Sequence, residues 1–287
     1  MIKVSIIGTG QIGFDLLHKL IKLDFVEVVA FVGRRDSTKK IPNNIYYSDK
    51  SIEYFIENPK CCEVVFDCTD AYSAVVNNKV FVEQGIKVID LTPSDIGEQY
   101  IPNLSSVKSN NINMVTCGGQ VCLPLLKYLH GKVTLNTNCS ITYIEVVTQV
   151  NTESAGMATR VNIDKYIETT ETAIYKFINV LKCKVILNVN PNIYSNMKTT
   201  IYLKINSTEN IVQEQFDFSD LDNYILSIND YIPNYSVVEP VWLTMDTLMI
   251  HVKVIGSSEI ISNYHGNLDI INCASIHALK EIKNLIK

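Results

Sequence analysis

At 287 residues the chain has room for two domains or one large one, and 47% hydrophobic against 19% charged residues is the balance of a globular protein. Its formal net charge of −5 leaves no basic footprint, which excludes nucleic acid and an anionic membrane surface as partners. No apolar run approaches the roughly 18 residues that a membrane-spanning helix needs. The first strand pattern begins at Ile2, so no signal peptide is expected.

The pattern at residues 3–7 is a short β-branched run that fits a strand buried on both faces. Gly8-Thr9-Gly10-Gln11-Ile12-Gly13 follows at once, and Leu16, Leu17, Leu20 and Leu23 then share one helical face. A glycine triplet placed between a strand and a helix is the dinucleotide-binding turn. Gly8 allows the turn, Gly10 lets the backbone meet a pyrophosphate, and Gly13 lets helix and strand pack closely. The helix N-terminus then faces the anion. Residues 26–32 form the second strand pattern, ending in Gly33-Arg34-Arg35-Asp36. Asp36 lies 23 positions beyond Gly13 and suits the adenine ribose of NAD. Arg34 and Arg35 keep NADP open as the alternative cofactor.

Further strand patterns occur at residues 64–70, 87–91 and 113–116, alternating with helical segments. This is the signature of an α/β fold with a doubly wound parallel Rossmann sheet that binds ligands at the carboxyl ends of its strands. Beyond Leu129 the texture changes. Residues 140–150, 184–190 and 199–205 read as longer alternating strands, and residues 242–255 as another pair, with a helix near 163–181. An α+β second domain with a mainly antiparallel sheet is expected. An amphipathic helix is expected over 267–287. The expected boundaries are 1–116 plus 265–287 for the dinucleotide-binding domain and 117–264 for the catalytic, substrate-binding and oligomerisation domain.

The stretch Asn113-Met114-Val115-Thr116-Cys117-Gly118-Gly119-Gln120 organises both halves. Cys117 stands at the expected end of a buried strand, Gly118 and Gly119 make a tight exit, and residues 121–129 resume with helical spacing. The first backbone N–H groups of a helix favour thiolate over thiol. Two glycines let a substrate carbonyl approach the backbone. Cys117 is therefore the candidate nucleophile, and a buried structural cysteine is the plain alternative. The eight cysteines (Cys61, Cys62, Cys68, Cys117, Cys122, Cys139, Cys183 and Cys273) show no paired metal spacing. They imply reduced thiols in the cytoplasm, and no metal site is expected.

With these blocks in hand, the chain resembles the acylating acetaldehyde dehydrogenases, the bacterial type partnered by 4-hydroxy-2-oxovalerate aldolases. The resemblance rests on IIGTGQIG, VVFDCT, IDLTPSDIG, NMVTCGGQ, SAGMATRVNID, TETAI and YHGNLDI, in order along nearly the whole chain. It implies a second domain like that of glyceraldehyde-phosphate dehydrogenase and a small aldehyde as substrate. NAD would be the cofactor and coenzyme A the acyl acceptor, in the setting of aromatic hydrocarbon catabolism. Cys117 would carry a thioacyl intermediate. Ser154, Ala155, Gly156, Met157, Ala158, Thr159, Arg160, Val161, Asn162 and Asn267 match the family's cofactor contacts, and Asn162 with Ile163 borders the aldehyde pocket. A homodimer or a hetero-oligomer with the aldolase is implied.

The chain departs from the family in three places. Met157-Ala158 replaces the usual Pro-Gly, Thr199 stands where the family has an aspartate, and the segment between Trp242 and His251 is short. A threonine takes no proton at neutral pH, so general-base help has to come from elsewhere. Two alternative readings follow: an NADPH-dependent reductase of another activated acyl group, and a catalytically weak cofactor-binding partner protein. His18, His130, His251, His265 and His277 are each expected to be structural.

Overall fold

The computed structural model of the chain describes residues 1–34, 41–135, 138–208 and 213–286. The chain divides into two compact units, one of residues 1–116, 258–261 and 271–287, the other of residues 117–257 and 262–270.

In the first unit the order is β1 (Ile2–Ile7), α1 (Gln11–Leu20), β2 (Val26–Val32), β3 (Tyr46–Ser48), α2 (Ser51–Glu57), β4 (Val64–Asp67), α3 (Ala71–Gln84), β5 (Lys87–Asp90), β6 (Glu98–Gln99) and β7 (Asn111–Asn113). Seven strands form one parallel sheet in the order β3-β2-β1-β4-β5-β7-β6. Both faces are covered, which is why these strands are continuous apolar runs. Val4, Ile6, Val64 and Phe66 pack with Leu16, Leu17 and Leu20 of α1 and with Ile271, Ala278 and Leu279 of the C-terminal helix. Ile7, Val32, Val65 and Val88 pack on the other side with Phe55 and Phe81. The strand order reverses between β1 and β4, and the glycine turn after β1 stands at that switch point, where open parallel sheets bind ligands.

The second unit contains α4 (Cys117–Thr134), β8 (Cys139–Asn151), α5 (Met157–Val161), α6 (Ile163–Phe177), β9 (Lys182–Asn190), β10 (Met197–Ser207), α7 (Leu221–Asn229), β11 (Tyr235–Trp242) and β12 (Thr247–Val254). It also holds the first residues of α8 (Gly266–Ile286). Its five strands run β11-β12-β10-β8-β9, antiparallel except for the parallel β8–β9 pair. Every second residue is buried in β10, in β12 and in β8 from Ile144 to Val150, including Val146, Thr148, Thr199, Ile201, Leu203, Ile250 and Val252. Helices α4 and α6 pack on this sheet and on each other.

Three sequence-level expectations are corrected. The strand expected at residues 113–116 ends at Asn113, because Val115 adopts a left-handed backbone with φ of 60°. The Asn113 side-chain oxygen accepts from its N–H at 2.8 Å and holds that turn. Gly118 and Gly119 do not form an exit before a helix; α4 begins at Cys117 and both glycines lie in its first turn. The strand pair expected over residues 242–255 is β11 with β12, and β11 starts upstream at Tyr235.

The carboxyl edge of the parallel sheet carries a buried acid pair. Asp67 and Asp90 face each other in register on β4 and β5, and each is almost wholly buried. Asn77 donates to Asp67 at 2.9 Å, and the Thr92 N–H and Asn113 side-chain amide donate to Asp90 at 2.7 and 3.1 Å. Burial first, and then the Asp67 charge, push Asp90 up to about 7. Burial likewise raises Asp67. The native state thus retains a proton that the unfolded chain, with Asp near 3.9, has released. This contribution to stability is complete below about pH 4 and is lost as pH rises towards 7. Histidines whose pKa is lowered by burial act in the opposite sense below about 6.5, so the comparison that isolates the pair is between the parent and Asp67→Asn. In urea unfolding, the variant's stability relative to the parent rises by about 1 kcal/mol or more between pH 5 and 8. A difference that stays constant across that range would show that the two carboxyls do not interact.

Candidate active site

The first unit holds a turn shaped for an anion. Gly8 has a φ of 108°, and a Cβ there would lie 2.4 Å from the Cys68 carbonyl oxygen. A Cβ on Gly13 would lie 2.0 Å from the Gly8 carbonyl oxygen, so α1 sits directly on the turn. Gly10 differs, with nothing within 4 Å of its Cβ position. It is the N-cap residue of α1 and brings no side-chain cap, which leaves the positive end of the helix facing outward. Thr9 packs against Gly33, Gln11 is exposed, and Ile12 is packed against the core. These residues fit a dinucleotide pyrophosphate, which needs close backbone approach and a helix N-terminus. Arg34 pairs with Asp70 at 3.3 Å and also reaches Ser73. Arg35 and Asp36 lie outside the described residues.

The second unit holds the candidate thiol. Cys117 is the first residue of α4 and keeps part of its surface open. The expectation that the helix N-terminus would yield a thiolate is not met. Burial pushes the thiol up to about 11, and the Tyr166 hydroxyl and the Gly118 N–H draw it only partly back. The thiol form therefore predominates in the resting protein at neutral pH. Desolvation outweighs the helix terminus because the terminus is worth about 2 kcal/mol at most.

Around Cys117 the sheet and α6 converge. The Tyr166 ring reaches the backbone of Gly118, where a Cβ would lie 1.9 Å from the phenol oxygen and 3.4 Å from the Thr148 hydroxyl. Thr148 and Thr199 are register partners whose hydroxyls are 3.1 Å apart. Asn162 is the N-cap position of α6 and is buried, but its side chain does not cap the helix. It stands one turn before Tyr166 on the same helical side, with half-buried Ile163 beside it.

A loop joins β8 to α6. Ser154 and Ala155 are buried, Gly156, Arg160 and Val161 are exposed, and Thr159 is half-buried. The side chains of Met157 and Ala158 lie outside those described. Asn267 lies inside the first turn of α8 and is not its N-cap; its amide donates to the Ser154 carbonyl at 3.5 Å. Arg160 spends its guanidinium on the loop itself, donating to the Ala155 carbonyl at 2.9 Å and the Thr152 hydroxyl at 2.7 Å. Asn151 anchors the loop, accepting from the Ser154 N–H at 2.8 Å and donating to the Tyr264 carbonyl at 3.0 Å. Tyr166, Thr148 and Asn151 carry no motif in the sequence; each is identified by its packing. His251 bonds to Thr200 and His277 to Tyr100, both outside this cluster.

The family described as prokaryotic acetaldehyde dehydrogenase, dimerisation, matches residues 117–262, and the semialdehyde dehydrogenase NAD-binding domain matches residues 3–104. A relative from Spirochaeta aurantia named acetaldehyde dehydrogenase is 38% identical, with 98% of this chain and 94% of that protein covered. A protein of the same name from Pectobacterium atrosepticum is 34% identical, with 99% and 96% covered. This chain belongs to the acetaldehyde dehydrogenase family. The fold is shared more widely than the family. An aspartate semialdehyde dehydrogenase II from Vibrio cholerae, complexed with ASA, superposes with a TM-score of 0.66 at 15% identity, covering 98% of each chain. One from Candida albicans, with NADP, gives 0.56 at 14% identity, covering 98% of this chain and 99% of that one.

For this acetaldehyde dehydrogenase family member, two of the turn glycines predict different outcomes. Gly10→Ala adds a methyl to open space, so it leaves the thermal midpoint within about 2 °C and weakens dinucleotide binding by about tenfold. Gly13→Ala drives a methyl into the Gly8 carbonyl and lowers the midpoint by several degrees. Calorimetric titration alongside thermal unfolding separates the two. Unimpaired binding by folded Gly10→Ala would place the dinucleotide elsewhere.

Proposed function

We propose that the chain oxidises a small aldehyde and passes the acyl group to coenzyme A, with Cys117 as the covalent nucleophile. The observation that carries this reading is the thiol at the first position of α4, with the Gly118 N–H drawn onto its sulfur, in a chain of this family. NAD supplies the hydride acceptor when bound, and Gly8, Thr9, Gly10, Gln11, Ile12 and Gly13 would hold its pyrophosphate against α1. Ser154 to Asn162 and Asn267 are proposed to line the rest of the cofactor site, with Asn162 and Ile163 beside the aldehyde.

The Cys117 sulfur adds to the aldehyde carbon, and the carbonyl oxygen gains the proton that sulfur loses. The Gly118 N–H stands next to the sulfur and is the candidate donor to the oxygen as it acquires charge. Loss of the carbinol hydrogen as hydride and of the oxygen's proton leaves a thioester on Cys117. That thioester stays activated for attack by a second thiol, that of coenzyme A, which releases acyl-CoA and restores the cysteine. The dimerisation description of residues 117–262 supports a homodimer built through the second unit. Pairing of Arg34 with Asp70 at the tip of β2 favours NAD over NADP, because it occupies a cation that a 2′-phosphate would need.

The test is NADH formation from acetaldehyde with and without coenzyme A. Turnover depends on coenzyme A, and Cys117→Ala lowers it by more than about a thousandfold. Undiminished turnover in that variant, or turnover indifferent to coenzyme A, would overturn the assignment.

A further inference from the structure

Among the described residues, no carboxylate, imidazole or amine acts on the Cys117 sulfur; the groups that do are the Tyr166 hydroxyl and the backbone N–H groups of Gly118 and Cys117. The nucleophile therefore has no conventional base at hand, and what adjoins it is a phenol in an unusual state. Tyr166 is buried with 6% of its surface exposed, and its hydroxyl makes no hydrogen bond of standard geometry. A buried hydroxyl left unmatched costs free energy, and such groups in native folds call for an explanation. Packing does not require the oxygen at this place. It stands where a side chain on residue 118 would begin, 1.9 Å from that Cβ position, so glycine there is a condition for the phenol reaching the nucleophile's end of α4.

Behind the phenol lie two more hydroxyls. Thr148 and Thr199 are wholly buried, directly opposite each other on β8 and β10, and 3.1 Å apart. The Thr148 hydroxyl also acts on Tyr166. Threonine at both positions of a buried apolar face is not a packing choice, since valine would fill the same volume without a hydroxyl to satisfy.

We propose that Tyr166 is the hydrogen-bond donor that stabilises the Cys117 thiolate, and that Thr148 and Thr199 complete a relay of neutral hydroxyls ending at the sulfur. The proposal rests on Cys117 being the nucleophile. In this relay Thr199 donates to the Thr148 oxygen, Thr148 donates to the Tyr166 oxygen, and Tyr166 donates to sulfur. Such a chain strengthens its last member, because each donated bond polarises the next hydroxyl. On ionisation the S–H bond breaks and its proton leaves to water; no proton is lost from the three hydroxyls. Burial, with the Cys117 charge adding to it, holds the phenol's own ionisation far above the ordinary range. Tyr166 consequently acts as a donor and takes no part as a base. The phenol gains a charged acceptor when sulfur becomes an anion, which recovers part of what burial costs the thiolate.

The experiment measures iodoacetamide alkylation of Cys117 between pH 6 and 10, followed on the Cys117 peptide by mass spectrometry because the chain holds eight cysteines. Tyr166→Phe lowers the thiolate fraction by about tenfold, the worth of a donor to a charged group. The more basic sulfur is a better nucleophile by about threefold, so the observed rate at pH 8 falls about threefold. Thr148→Val and Thr199→Val move the rate the same way by smaller steps. In turnover, kcat falls in all three while KM for acetaldehyde stays within about twofold. An alkylation profile unchanged in Tyr166→Phe overturns the donor role, and where that variant does not fold, an unchanged profile in Thr148→Val does so. Loss of the nucleophile reading registers separately, as turnover surviving in Cys117→Ala, while the alkylation profiles still report on the donor.

Discussion

The balance between burial and hydrogen bonding at the Cys117 sulfur governs the second unit. Dense surroundings raise the thiol, while two N–H groups and one phenol pull it back, and burial wins in the resting state. A helix terminus would suffice for an exposed cysteine, because there the desolvation it must offset is small. Here the enclosure that raises the thiol makes its thiolate scarce. A protonated sulfur resists oxidation, which follows thiolate character and exposure. The arrangement exchanges constant readiness for protection, and α4, α6 and β8 meet around the sulfur in the way that exchange requires.

Much of the first unit is legible in the sequence because strands buried on both faces leave uninterrupted β-branched runs. The run at residues 26–32 has the observed bounds of β2, and the glycine turn falls where a strand gives way to a helix. The misread parts have local causes. β3 and β6 have three and two residues, too short for any period to show. Val115 is β-branched, and nothing in its type announces a left-handed conformation imposed by the side chain of Asn113. In β11, Pro240 sits within a register shift between Val238 and Val241, and this hides an edge strand from a pattern-based reading.

The site divides in the same way. Cys117 is legible because a thiol before two glycines has few uses, and resemblance to a known family adds the loop at residues 154–162. Tyr166 and Thr148 are not legible, since a tyrosine on a helix and a threonine in an alternating strand each satisfy local propensity. Their relation to Cys117 exists only after α6 packs on the sheet. Thr199 is marked by sequence as a departure, yet its partner Thr148 is 51 positions away and emerges only through strand register. Arg160, among the residues expected to touch a cofactor, holds carbonyl and hydroxyl oxygens of its own loop with its guanidinium.

The segment leading to Cys117 is held under strain by the buried acid pair's network. A β-branched residue with positive φ costs on the order of 1–3 kcal/mol and persists only where its surroundings over-determine it. For Val115 the determinant is the Asn113 oxygen on its N–H, and Asn113 is itself fixed by donating to the Asp90 carboxyl at 3.1 Å and the Thr92 carbonyl at 3.0 Å. Asp90 thus does two things at once: it strains its own ionisation against Asp67 and clamps the amide that bends the chain. Leucine or valine at position 90 would remove the charge conflict but would also release Asn113, and with it the turn at Val115, two residues before Cys117. A buried carboxyl of this kind is retained at a cost in stability because the backbone it sets cannot be reached by packing alone.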